Sequence, residues 1–141
     1  MLSLVLTTEN KIEDLDDRVT VGACKKPPCR LRKNSAVNFV LKFKPEYDVT
    51  KLVNTVNANI LGIPFPFVGV DGEDACDKIY KEDGTTKAGC NLKAGQEYVY
   101  KSSIDVLQIY PRIKTDVHWG LTDPNTKKDV ICFEVPARIT N

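Results

Sequence analysis

Five cysteines are the residues whose type and spacing most restrict the chemistry: Cys24, Cys29, Cys76, Cys90 and Cys132. Two lie close together in Cys24-Lys-Lys-Pro-Pro-Cys29, and two more bracket a loop rich in Gly and Asp. A structural zinc site would want four ligands at CxxC-type spacings, often with histidine. The chain has no CxxC and a single histidine, His118. A disulfide framework is the better reading, and it implies an oxidising compartment. In the chain-entropy account, closing a loop of about 15 residues from Cys76 to Cys90 is worth about 3 kcal/mol, and a shorter Cys24–Cys29 loop somewhat less. Cys132 is then left over. Neither a metal site nor a cofactor is expected.

Other catalytic chemistry finds little support. His118 falls on the polar parity of its strand and reads as a solvated side chain rather than a general base. The acidic pairs Asp16-Asp17 and Glu73-Asp74 lie in polar or turn-like segments, where solvated surface is the default. Cys132 together with His118 would suggest a thiol nucleophile, but a cysteine in so apolar a strand is normally an inert core residue or half of a disulfide. The chain has no Gly-x-Ser-x-Gly elbow, P-loop, GxGxxG or HExxH. It is not expected to be an enzyme.

The elements that would position these residues are strands. Val37, Phe39, Leu41 and Phe43 alternate with Asn38, Val40, Lys42 and Lys44. Val56, Ala58 and Ile60 alternate with asparagines, and Ile113, Thr115, Val117, Trp119 and Leu121 alternate with Lys114, Asp116, His118 and Gly120. Each period of two turns one face inward and the other to water. The last run, Val130–Ile139, is apolar on both parities apart from Glu134 and Arg138, as in a strand covered on both sides. Val19–Val21 begins or ends a first strand. Turn-forming clusters such as Lys44-Pro-Glu-Tyr-Asp, Glu82-Asp-Gly-Thr and Thr122-Asp-Pro-Asn-Thr separate the runs. Six to eight short antiparallel strands pinned by disulfides predict an all-β sandwich.

One domain over residues 1–141 accounts for the length. Twenty basic and nineteen acidic side chains leave a formal charge of +1, too weak a field for a general nucleic-acid binder. No apolar run reaches the 18 or more residues of a transmembrane helix. Met1–Leu6 lacks the basic region and full apolar stretch of a signal peptide and reads as the stub of a processed or rebuilt N-terminus.

Gly62-Ile-Pro-Phe-Pro-Phe67 does not suit the interior of a sheet, because proline removes ladder donors. A stiff edge or loop should result, presenting Ile63, Phe65 and Phe67 as an apolar wall. Tyr110-Pro111 repeats the theme before the Trp119 strand. Stiff loops of this kind can hold two sheets apart and shape an opening. On composition alone the aromatic residues read as an ordinary packed core, and the proline-framed wall is what raises the pocket reading.

Several of these segments resemble the Niemann-Pick C type 2 family of sterol carriers, in the ML lipid-recognition superfamily, with a flavour closest to its arthropod members. They are Gly62-Ile-Pro-Phe-Pro-Phe67, Cys76 with Cys90-Asn-Leu-Lys-Ala-Gly-Gln-Glu-Tyr98, Ile109-Tyr-Pro111, Val117-His-Trp-Gly-Leu121 and Ile131-Cys-Phe-Glu-Val-Pro136. The resemblance implies an immunoglobulin-like sandwich whose two antiparallel sheets splay to admit one apolar ligand, such as a sterol, a fatty acid or a lipid-like chemical signal. It implies Phe65 and Phe67 in the pocket wall, Val106, Tyr110 and Pro111 at the mouth, and Trp119 inside. Ile104, Tyr100 and Phe133 follow as further lining. It also implies disulfides Cys24–Cys29 and Cys76–Cys90. The cysteine that would pair with Cys132 is missing near Glu9-Asn10, so Cys132 is expected as a thiol outside the disulfides, beside a less stable N-terminal edge. The 13 residues Asp77–Gly89 inside the second loop exceed the family's usual handful and bear on ligand access. A secreted or lysosomal monomer follows, making transient membrane or receptor contacts. The alternative implied by the superfamily is a protein-binding module whose interface is assisted by a bound lipid.

Overall fold

The computed structural model describes residues 18–22, 24–25 and 28–141. The acidic segment before Val19, the Asp16-Asp17 pair, the Met1–Leu6 stub and the N-terminal edge expected near Glu9-Asn10 lie outside these residues, apart from Arg18. Among the described residues the strands are β1 (Val19–Val21), β2 (Cys29–Arg32), β3 (Ser35–Phe43), β4 (Val53–Ile60), β5 (Ile63–Pro66), β6 (Ile79–Lys81), β7 (Tyr98–Val106), β8 (Lys114–Asp123) and β9 (Lys128–Thr140). A 3-10 turn at Cys76–Lys78 leads into β6.

Two sheets face each other as an immunoglobulin-like sandwich. One has the order β1-β3-β7-β6, the other β2-β9-β8-β4-β5. Period-2 patterning decides which residues fill the gap between them. On β3, Phe39, Leu41 and Phe43 are buried and Lys42 is exposed. On β8, Thr115, Val117, Trp119 and Leu121 are buried, while Lys114 and Asp116 face water. Each fully buried large apolar side chain contributes about 1.5–3 kcal/mol. Pairing aligns the aromatic residues: Trp119 lies opposite Phe133 and Val56, and Tyr100 opposite Leu41 and Ile79.

The structure departs from the expected set of short antiparallel strands in three ways. There are nine strands among the described residues, and β8 and β9 run for 10 and 13 residues. Second, β2 runs parallel to β9, from Cys29 opposite Ala137 to Arg32 opposite Thr140. The chain switches sheets between β1 and β2, and alternation carries no information about strand direction. Third, the β8–β9 register slips after Leu121: Leu121 faces Ile131, but Thr122 faces Asp129. Such a bulge reverses the face on which following residues emerge. This explains part of the two-sided burial of Val130–Phe133.

Two disulfides close as expected, Cys24–Cys29 and Cys76–Cys90, with Cα atoms 5.5 and 4.9 Å apart. These separations lie within the span a disulfide bridges. Cys132 is buried on β9 and belongs to neither bridge.

Candidate functional site

Prolines 64 and 66 confine β5 to the sheet edge, where it pairs with β4 alone. Phe65 lies opposite Ala58 and Ile63 opposite Ile60. Directly paired residues share a face, so Phe65 turns the same way as buried Ala58, towards the opposite sheet. That sheet does not cover it. Ile63 is 67% and Phe65 45% exposed, whereas Phe67, two residues further, is 3% exposed. This apolar strip therefore grades from open to buried. Leu61, Val68 and Ile109 add exposed apolar side chains around it.

Tyr110, in the connection between β7 and β8, closes the inner end of this wall. Its ring meets Phe67 edge-on at 5.5 Å between centroids and Phe65 at 6.2 Å. Its hydroxyl accepts the Val68 N–H at 3.0 Å, which fixes the turn after β5 to the β7–β8 connection. Pro111 beside it is exposed, and Val106 at the end of β7 is buried.

The remaining candidates form a second group deeper in the sandwich. Tyr100, Ile104, Trp119 and Phe133 are all buried. Phe39 packs on Trp119 with ring centroids 4.4 Å apart and reaches Phe133 at 6.5 Å; Tyr100 meets Trp119 at 6.0 Å. The Trp119 indole N–H donates to the Tyr100 hydroxyl at 3.2 Å, and that hydroxyl donates to Asn54 Oδ1 at 2.5 Å. Burial pushes the Tyr100 phenol up to about 12, against the opposing effect of hydrogen bonds from Ser102 and Trp119. Asn54, buried and essential to this chain of bonds, is absent from the expected lining. Its parity with Val56, Ala58 and Ile60 was the available signal, since it places an amide on the inward face of β4.

Two surface clefts lie elsewhere. One, about 550 Å³, is lined by residues that include Cys24, Lys25, Cys29, Arg30 and Val37. The other, about 520 Å³, lies between Arg112–Lys114 and Arg138–Asn141. Neither takes in Phe65, Phe67 or Tyr110, the last of which meets both phenyl rings.

His118 corrects its expected place as a solvated side chain. It is on the outward parity of β8, yet its side chain is only 16% exposed. The register sets it opposite Glu134, and the bulge brings Asp129 to the same face. His118 Nε2 lies 3.4 Å from Asp129 Oδ2, and Nδ1 lies 3.7 Å from Glu134 Oε2. The Asp129 hydrogen bond outweighs burial, and with both carboxylate charges it raises the imidazole pKa above its ordinary value. Burial pushes Asp129 up, but bonds from His118 and Thr122 prevail and hold it below the ordinary carboxylate value.

Comparison with known proteins gives the arrangement a context. Residues 9–139 match the family model described as the ML domain. The chain is 36% identical over 111 residues to the ecdysteroid-regulated 16 kDa protein of Manduca sexta, covering 79% of this chain and 70% of that one. It is 33% identical over 124 residues to NPC intracellular cholesterol transporter 2 homolog a of Drosophila melanogaster, covering 86% and 78%. The crystal structure of a Niemann-Pick type C2 protein from the Japanese carpenter ant superimposes with a TM-score of 0.71 at 22% identity, over 86% of this chain and 89% of that one. The last likeness concerns the fold alone.

Proposed function

This chain belongs to the ML-domain family, and on that premise we propose that it binds and transports one small hydrophobic molecule between its sheets, without catalysis. The observation that carries the reading is Phe65: an aromatic side chain on the inward face of its sheet, left uncovered by the opposite sheet and continuous with buried Phe67. An inward-facing apolar wall that begins in solvent and ends in the core is a mouth. A sterol, fatty acid or lipid-like signal would enter past Phe65 by displacing Tyr110 from Phe67. Val106 and Pro111 would flank the entry, and Ile104, Tyr100, Trp119 and Phe133 would meet the deeper end of the guest.

The two open clefts suit such a guest poorly. Lys25 and Arg30 line one, and Arg112, Lys114 and Arg138 line the other. An apolar ligand there would displace water from charged side chains and offer them no hydrogen bond in return. The relative in Drosophila melanogaster is named a cholesterol transporter, which favours a sterol-sized cargo. The disulfides suit an oxidising setting, either secreted or within a lysosomal lumen. No helix among the described residues is long and apolar enough to cross a membrane.

Displacement of a fluorescent apolar probe by cholesterol and by fatty acids tests the reading. Phe67→Ala and Tyr110→Ala should each weaken probe binding at least about tenfold, the effect of losing roughly 1.5 kcal/mol of buried apolar contact, while the circular dichroism spectrum stays that of a β-sandwich. Unchanged affinity in both folded variants would remove this wall from the binding site.

A further inference from the structure

We propose that His118, Asp129 and Cys132, on the outward face of β8 and β9, form a binding site for a zinc-type divalent ion, separate from the apolar mouth. Their ligand atoms, an imidazole nitrogen, a carboxylate oxygen and the Cys132 sulfur, all lie within 4.8 Å of one another. Zinc takes nitrogen and oxygen at about 2.0–2.2 Å and sulfur at about 2.3 Å, so tetrahedral ligands stand roughly 3.3–3.8 Å apart. The His118 Nε2 to Asp129 Oδ2 distance of 3.4 Å already matches such an edge. Side-chain movements of up to about 1.5 Å close the rest.

Three features shape the place. The register slip after Leu121 replaces Val130 with Asp129 opposite Thr122, which turns the carboxylate onto the face that holds His118 and Cys132. Gly120, paired with Cys132 between His118 and Thr122, leaves room for that carboxylate. A Cβ at Gly120 would stand 2.9–3.0 Å from all three carboxyl atoms of Asp129. The remaining polar atoms are then arranged as outer support. Thr122 donates to Asp129 Oδ1 at 2.7 Å, leaving Oδ2 towards His118, and Thr122 itself shares a hydrogen bond with Thr55 on β4. Glu134 stands at His118 Nδ1, where a metal-bound imidazole places its N–H.

The donor set selects the ion. A thiolate, an imidazole and one carboxylate suit zinc or cobalt, whereas magnesium and calcium take oxygen ligands. Three protein ligands leave a fourth position for water or a partner's side chain. Among the described residues the other close trio, Asp74, Cys76 and Cys90, carries no such proposal, because its two sulfurs are bonded to each other.

The test uses the full chain, its two disulfides intact, stripped with a chelator and titrated with Co²⁺. The expected result is a stoichiometric thiolate-to-cobalt charge-transfer band together with the visible absorption of a tetrahedral site, both lost on adding Zn²⁺. Cys132→Ser should abolish the charge-transfer band. His118→Gln and Asp129→Asn should each weaken Zn²⁺ binding, and Glu134→Gln, which touches no metal, should weaken it about 10–100-fold. No thiolate band with the wild-type chain would overturn the proposal outright, whatever the variants do. So would a band that survives in folded Cys132→Ser. Probe binding at the apolar mouth should be the same with and without Zn²⁺, so loss of either site leaves the other measurable.

Discussion

Phe65 and Tyr110 meet edge to face, their ring planes at 90° and centroids 6.2 Å apart, although the first is 45% and the second 2% exposed. The contact spans the boundary between water and core, and an aromatic pair of this geometry adds about 0.5–1.5 kcal/mol to the area it buries. Because Phe65 is half in solvent, Phe65→Ala should cost the fold no more than about 1.5 kcal/mol while lowering probe affinity severalfold. Thermal melts and probe titration on one preparation check both. A large loss of stability with unchanged affinity would make Phe65 a structural residue only.

Tyr110→Phe separates the ring from the hydroxyl. The Val68 N–H loses its acceptor, which should destabilise the protein by about 0.5–1.5 kcal/mol. The apolar wall is preserved, so equilibrium binding should change little. Release should quicken, because the turn after β5 is no longer fastened to the β7–β8 connection. Stopped-flow dissociation of the probe measures this.

Tyr100 predicts an alkaline weakness. Its folded-state pKa is raised to about 12 by burial, from an ordinary 10.0. A raised pKa means that the neutral phenol is favoured in the fold. The associated stability is fully present below pH 10 and is lost as pH climbs through 12, about 2–3 kcal/mol in all. Urea midpoints taken from pH 9 to 12 should fall across that window. Tyr100→Phe, less stable at pH 9 because Asn54 and Trp119 lose their partner, should fall less over the same range. Parallel curves for the two proteins would refute the assignment.

Replacing Cys76 and Cys90 together by serine opens a loop of about 15 residues and should cost about 3 kcal/mol. The loss should appear as a lower urea midpoint, with the β-sheet spectrum retained. That loop adjoins the sandwich through β6, the edge strand beside β7.

Much of this architecture is written in local sequence. The alternation around Phe39 and Trp119 sets two inward faces, and Pro64 and Pro66 allow β5 no place but an edge. The outcome at His118 is not written there. Its parity points outward, and that much is right, but the company it keeps depends on a one-residue slip inside the β8–β9 hairpin, where Leu121 pairs with Ile131 but Thr122 with Asp129. Nothing near Asp129 signals that it will take the place of Val130. The same limit applies to β2, whose alternation fits either direction of pairing, and to Phe65, whose exposure depends on where the opposite sheet stops. Asn54 differs: its inward parity was legible, and only its polarity argued against the core.

The prolines of β5 have a consequence for solubility. Phe67 gives its N–H to Val56, and the alternation of an antiparallel ladder then turns the amides of Phe65 and Ile63 towards β4. The positions whose amides would point outwards are 64 and 66, and both are proline. The outer rim of this sheet therefore offers carbonyls but no donors along Ile63–Pro66. A greasy border that would otherwise template fibril growth from molecule to molecule cannot be extended by another strand there.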